Sequence, residues 1–174
     1  MLSVADALKF LRDRVPPLRK ESIGIGDACD RTLAEEVFSD LDLPPFDRSM
    51  MDGYAVISSD RPFRELVEEI PAGKFPQVTV GRGQCSKIMT GAPLPEGADS
   101  VQQVEKTERK GGQVHLLESV DPGQNIAPRG EDLRKGDRVF SVGHRLGPAD
   151  IGLLSTVGRE VVSVYRRPSV AILV

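Results

Sequence analysis

Three short polar segments place glycine beside an oxygen-bearing side chain. They are Met51-Asp52-Gly53, Thr90-Gly91-Ala92-Pro93-Leu94-Pro95-Glu96-Gly97-Ala98-Asp99 and Arg129-Gly130-Glu131-Asp132. The first is the most elaborate. Pro44-Pro45 stiffens its approach, Asp47 and Asp52 stand five residues apart, and Gly53 directly after Asp52 lets the backbone turn or approach another group closely. The segment reads as a rigid loop presenting Asp52, flanked by Met50, Met51 and Tyr54, and running into a strand at Ala55-Val56-Ile57. Each oxygen donor also has a purely structural use. Asp52 could cap a turn through its own side chain, Thr90 could fix the turn into Gly91, and Asp132 could start a turn of helix.

The elements that must hold these turns are short. Ser3-Val4-Ala5-Asp6 has the form of a capping box, and Val4, Leu8, Leu11 and Val15 follow at spacings of 4, 3 and 4, which predicts a helix with one apolar stripe. Pro16-Pro17 ends it, and a helix of this length needs its stripe buried elsewhere. From Glu21 to about Arg138, strands are predicted at Ser22-Ile25, Ala55-Ile57, Leu66-Ile70, Val78-Val80, Cys85-Met89, Ser100-Val104, Gln113-Leu117 and Arg138-Phe140. Asp60-Arg64 and Arg109-Gly112 read as exposed connections, while Thr32-Val37 fits either a helical turn or a strand. Gly147-Pro148-Ala149-Asp150 opens a second helix, with Ile151, Leu154 and Val157 on one face and Gly158 past its end; Glu160-Tyr165 then reads as a strand.

The simplest packing brings the two helices together, with the β-rich segment inserted between the two halves of an elongated domain. The expected class is α+β: segments 1–20 and 139–166 form the elongated domain, 21–138 the β-rich domain, and 167–174 the start of a further one. Ser169-Val174 looks like the first, buried strand of an α/β domain that the chain does not complete.

Composition narrows the function classes. A net charge of −3, with no basic stripe interleaved with aromatics, gives no electrostatic reason to expect nucleic acid. No run approaches the roughly 18 apolar residues of a membrane span and the N-terminus lacks a basic, then hydrophobic, leader, so the expectation is a cytoplasmic protein. Cys29 and Cys85 lack C-x-x-C or histidine partners and read as reduced structural cysteines; His115 and His144 are isolated. Gly24-x-Gly26 and Gly81-x-Gly83 lack the strand-to-helix context of a phosphate loop. Arg134-Lys135 and Arg166-Arg167 read as surface charge.

The stretch Pro44-Pro45-Phe46-Asp47-Arg48-Ser49-Met50-Met51-Asp52-Gly53-Tyr54-Ala55 resembles the signature of the MoeA family, P-x-F-D-x-S-x-M-D-G-Y-A, with Arg48 and Met50 in variable slots. The other two segments resemble family motifs as well. These are the molybdopterin molybdotransferases of molybdenum cofactor biosynthesis, a family that includes the E domain of gephyrin. The resemblance implies that the chain covers the first two of four domains, with an elongated first domain and a β domain within it. It implies transferase chemistry: insertion of molybdate into adenylated molybdopterin, with magnesium and release of AMP. Carried over by position, Asp52, Thr90 and Asp132 become the catalytic residues. Asp52 and Asp132, with the Thr90 hydroxyl, suit hard-oxygen ligation, direct or through water, of a magnesium ion bridging to phosphate. Anionic substrate needs donors instead, for which Arg48, Ser49, Gly91 and Arg129 are the candidates within the motifs. The resemblance also implies a homodimer with a composite active site and association with other molybdenum cofactor biosynthesis proteins. The stripe on the first helix could share that dimer interface. The expectation is that the chain alone is inactive; the alternative is a non-catalytic dimerisation or partner-binding module.

Overall fold

A computed structural model describes residues 3–173 of the chain. The architecture is mostly β with two helices. In chain order the first elements are α1 (Val4–Arg14), β1 (Lys20–Gly24), a 3-10 turn (Ile25–Asp27), β2 (Val37–Phe38), β3 (Arg48–Ser49), β4 (Gly53–Val56) and β5 (Phe63–Ile70). Next come β6 (Gln84–Ile88), β7 (Ser100–Gln103), a second 3-10 turn (Val104–Lys106), β8 (Thr107–Lys110), β9 (Gln113–Leu116), β10 (Ile126–Ala127) and β11 (Arg138–Phe140). The last are α2 (Pro148–Thr156) and β12 (Val161–Tyr165). They divide into two compact units, Met1–Asp40 with Gly136–Val174 and Leu41–Lys135.

In the first unit, α1 starts where the capping box predicted: the Ser3 hydroxyl accepts from the Asp6 backbone N–H at 3.1 Å. Its stripe does not bury. Val4, Leu8, Leu11 and Val15 are all exposed and α1 has no buried residue, so the expected packing of the two helices on each other is corrected. Instead α2 packs against the turn Ile25–Asp27, with Leu154 and Val157 completely buried. Proline sits at the start of α2, and the Asp150 carboxylate accepts from the Gly147 N–H at 2.8 Å. Strand β1 pairs antiparallel with β12, and β2 with β11. Residues 21–40, expected to group with the β-rich segment, thus find their partners in 138–165. The undecided Thr32-Val37 stretch is extended, bridging Thr32 to Arg145 and Leu33 to Val164. The strand expected at Ser169-Val174 is also corrected over its described part. Residues 169–173 form no strand, and Val170, Ile172 and Leu173 are exposed; Val174 lies outside the described residues.

The second unit is built on a six-stranded sheet in the order β7-β4-β6-β5-β9-β8. Only β5 and β6 run parallel. Strand alternation gives the sheet two apolar faces. Tyr54, Val56, Cys85, Val114, Leu116 and Val120 cluster together, with Leu66 against them. Ala55, Ile70, Ile88, Ala92 and Val101 form the other cluster, joined by Leu94, Ala98 and Ile126. All four residues of β4 are buried, as a central strand covered on both sides requires. Three expectations change here. Val78-Val80 forms no strand: its Val80 N–H donates to Glu96 O at 2.8 Å and its Val78 N–H to the Glu68 carboxylate at 3.2 Å. The connection predicted at Asp60-Arg64 gives way to β5 at Phe63, and Arg64 is buried rather than exposed. Arg109 and Lys110, read as a connection, belong to β8.

Candidate functional site

The two-residue strand β3 joins the three polar segments. On one side it pairs antiparallel with β10, Ser49 opposite Ile126 and Arg48 opposite Ala127, and the Met50 N–H reaches Asn125 O at 2.9 Å. On the other side it meets the Thr90-Asp99 segment: Ser49 N–H donates to Ala92 O at 3.0 Å, Gly91 N–H to Ser49 O at 2.8 Å, and Leu94 N–H to Asp47 O at 2.8 Å. Such a short strand holds because Ala92, Leu94 and Ile126 also pack on the Ala55 face of the sheet. Sequence-distant turns are fixed in one place by hydrogen bonds and burial together.

Ser49 is buried, and its hydroxyl donates to Met51 O at 2.6 Å, tightening the chain just before Asp52. Met50 and Met51 remain exposed beside it. Gly53 has a specific reason. A Cβ there would lie 2.0 Å from Gln102 O, so β7 can pair with β4 only if this residue has no side chain. This clash couples the Asp52 turn to the sheet.

Asp52 does not cap its own turn. Its Oδ1 accepts from both the Thr90 N–H and the Thr90 hydroxyl, each at 2.7 Å. These bonds, the backbone one first, hold the Asp52 carboxyl below its ordinary value, with a further contribution from the Lys87 ammonium. Oδ2 of Asp52 has no partner among the described residues. Lys87 lies on β6, opposite Tyr54 on one side and Glu69 on the other, with its Nζ 3.6 Å from Glu69. Nothing in the signature singles it out; only the strand register brings it toward Asp52.

Asp132 is on the surface, its carboxylate 4.0 Å from the Arg48 guanidinium. It starts no helix: its N–H donates to Leu43 O at 2.9 Å and Leu133 bridges to Leu43. Arg48 and Asp132 are therefore neighbours, and so are Asp52, Thr90 and Gly91. Arg129 is held differently. Its backbone N–H donates to Asp47 Oδ1 at 2.7 Å and its Nε to Asp42 Oδ2 at 2.6 Å. Sequence reasoning gave Asp42 and Asp47 no role, yet both fasten the third segment. Asp42 also accepts the Lys135 N–H at 2.8 Å, and this bond, then Arg129, lowers its carboxyl from the ordinary value. The spacing of Asp47 from Asp52 was visible; a signal for Asp42 was not.

As a chemical surface, the site offers an oriented carboxylate at Asp52, an exposed carboxylate at Asp132, and the Arg48 cation. Among the described residues, no group of three or more His, Cys, Asp or Glu could hold a metal ion. No helix among them is long and apolar enough to cross a membrane.

Residues 2–158 match the family model described as the MoeA N-terminal region, domains I and II. The molybdopterin molybdenumtransferase of a Nostoc species is 36% identical over 184 residues, covering 99% of this chain and 42% of that protein. The enzyme of the same name from Bacillus subtilis is 37% identical over 165 residues, with 88% and 38% covered. A crystal structure of the molybdopterin biosynthesis moeA protein from Pyrococcus horikoshii OT3 superposes with a TM-score of 0.88 at 35% identity, covering 97% of this chain and 47% of that one. The chain spans less than half the length of these relatives. With residues 2–158 matching the two-domain model and these relatives 35–37% identical along most of the chain, the chain belongs to the MoeA family, as its N-terminal region of domains I and II.

Proposed function

We propose that this chain supplies the N-terminal part of a molybdopterin molybdenumtransferase, which inserts molybdate into adenylated molybdopterin with release of AMP. The observation that carries this reading is the Asp52–Thr90 pair, where two hydrogen bonds join the first two motif segments, while the third segment is fastened to Asp47 and Arg48 just before Asp52. In the proposed enzyme this surface forms one wall of a composite site in a homodimer, and the rest of the substrate contacts come from outside these residues. Arg48 and the Asp132 carboxylate flank it. Ser49 and Gly91 hold the segments together rather than contact substrate, since the Ser49 hydroxyl and the N–H groups of both residues are already used within the fold. Arg129, tied to Asp42, would reach substrate only by leaving that carboxylate.

Magnesium fits this donor set in a limited way. The unpartnered Oδ2 of Asp52 and the exposed Asp132 are hard oxygens, and magnesium commonly keeps several waters while using one or two carboxylates plus substrate phosphates. When bound, such an ion would screen the charge of anionic substrates. The chain's own contribution is to hold the Asp52 carboxylate ionised and oriented.

The test is AMP release from adenylated molybdopterin, with molybdate and magnesium, by the 174-residue chain and by the full-length protein, each with and without Asp52→Ala. The expected outcome is no release from the chain alone, and release from the full-length protein that depends on Asp52. Asp52-dependent release by the chain alone would overturn the composite site. Unchanged magnesium dependence in full-length Asp52→Asn would remove Asp52 as a metal ligand. A second reading, a dimerisation or partner-binding module without catalysis, is favoured by the exposed stripe of α1, and full-length protein inactive under all conditions would support it.

A further inference from the structure

The first unit contains a cavity of about 800 Å³ lined by four arginines, Arg19, Arg31, Arg166 and Arg167, together with Glu21 and Asp27. Four guanidiniums face two carboxylates there, leaving an excess of two positive charges. The arrangement is partly locked. Arg31 is nine-tenths buried; it donates to Glu21 and to Tyr165 O at 2.9 Å. The other oxygen of Glu21 takes Arg166 Nε at 3.3 Å. Arg31, then Arg166, holds the Glu21 carboxyl below its ordinary value, so it stays ionised as the bracket between them. The backbone is closed as well, since Arg166 N–H donates to Arg19 O at 2.9 Å. That bond sets the residue pairs 19–20 and 165–166 beside each other at the end of the β1–β12 ribbon, with Arg167 next in the chain. Arg19 and Arg167 make no side-chain ion pair among the described residues.

We propose that this cavity is a binding site for a small, multiply charged phosphate-bearing ligand. Guanidinium forks match phosphate oxygens in pairs, and a site that uses arginine rather than lysine favours such planar, bidentate recognition. The volume lies within the roughly 300–1,000 Å³ of small-molecule sites. Two of the four cations are already ordered by Glu21 and by a backbone carbonyl, so a ligand that binds them forfeits less side-chain freedom. A monoanion leaves one charge of the excess unmatched, whereas a diphosphate or triphosphate group neutralises it. Nothing in the Asp52 surface enters this argument, and the site stands whether or not the proposed transfer reaction does.

The experiment is isothermal titration of the chain with inorganic tripolyphosphate, pyrophosphate and orthophosphate, and with an oligoglutamate peptide of equal charge to tripolyphosphate. The expected order is tripolyphosphate and pyrophosphate tighter than orthophosphate and tighter than the peptide. Arg19→Ala/Arg167→Ala should weaken tripolyphosphate at least about tenfold, the size expected for losing charged hydrogen bonds. The pair Arg12→Ala/Arg14→Ala removes equal charge from α1, outside the cavity, and should leave binding unchanged. Equal losses in both double variants would reduce the effect to net charge and overturn the site. So would an absence of tripolyphosphate binding at millimolar concentration, or tighter binding of the peptide, which would point to an acidic protein segment instead. Thermal melts of both variants, matched to the parent chain, separate lost binding from lost folding.

Discussion

Asp52 and Thr90, thirty-eight positions apart, are joined through a single carboxylate oxygen that accepts both the backbone N–H and the hydroxyl of Thr90 at 2.7 Å. This pair of hydrogen bonds orients the carboxylate and leaves its second oxygen available. It also makes Asp52 a titration reporter for the site.

Thr90→Val removes the hydroxyl donor and keeps the backbone one. The Asp52 carboxyl is lowered from 3.8 by these bonds and by Lys87. A carboxylate whose folded value is depressed stabilises the fold above its unfolded value, and that contribution fades as pH falls through the folded value. The valine variant should therefore raise the Asp52 titration midpoint toward 3.8, be less stable than the parent near neutral pH and lose less stability on acidification, so that the two converge in acid, read by carboxyl carbon NMR and by urea midpoints across the acidic range. An unmoved midpoint would mean that the hydroxyl bond is not populated in solution.

Gly53→Ala should be among the costly single-atom changes in the second unit. The new Cβ would sit 2.0 Å from Gln102 O, and the buried backbone of the edge strand β7 has little room to give. Overpacking of this kind costs about 1–3 kcal/mol or more, visible as a lower urea midpoint at unchanged slope. A loss within about 0.5 kcal/mol, the range of ordinary surface changes, would show that β4 and β7 separate easily.

The cysteines should differ in reactivity. Burial pushes the Cys85 thiol up to about 12, and Cys85 is wholly inaccessible while Cys29 is only half-buried. Because the thiolate is the nucleophile, an alkylating reagent at mildly alkaline pH should label Cys29 in the folded chain and Cys85 only after unfolding. Equal labelling rates without denaturant would contradict the packing around Cys85.

The α1 stripe gives a prediction with opposite signs for folding and association. Leu8→Glu/Leu11→Glu changes exposed positions, so monomer stability should stay within about 0.5 kcal/mol per site. If the stripe contributes to the proposed dimer, the variant should sediment as monomer at concentrations where the parent chain associates. Parent and variant sedimenting alike would assign the dimer contact elsewhere.

Leu154 tests the core of the first unit. It is completely buried on α2, and Leu154→Ala should cost about 2–5 kcal/mol, measured by urea unfolding. A cost below about 1 kcal/mol would mean that the site collapses to fill the gap.

Local sequence determined what depends on near neighbours. The capping residues placed both helices, and alternation with glycine punctuation placed most strands to within a residue or two. The signature around Asp52 marked the site because its turn chemistry and its functional residues coincide in one short stretch. Long-range pairing decided the rest. Single periodicity cannot say which strand lies beside which, so it missed two-residue strands such as β3 and β10, whose stability comes from partners rather than composition. It also grouped Ser22-Ile25 with the β-rich segment, although its partner is β12. The burial of Arg64, the approach of Lys87 to Asp52, the fastening of Arg129 by Asp42 and the gathering of Arg19, Arg31, Arg166 and Arg167 round one cavity are tertiary facts. Each depends on register between residues far apart in the chain, and only the folded backbone fixes that register.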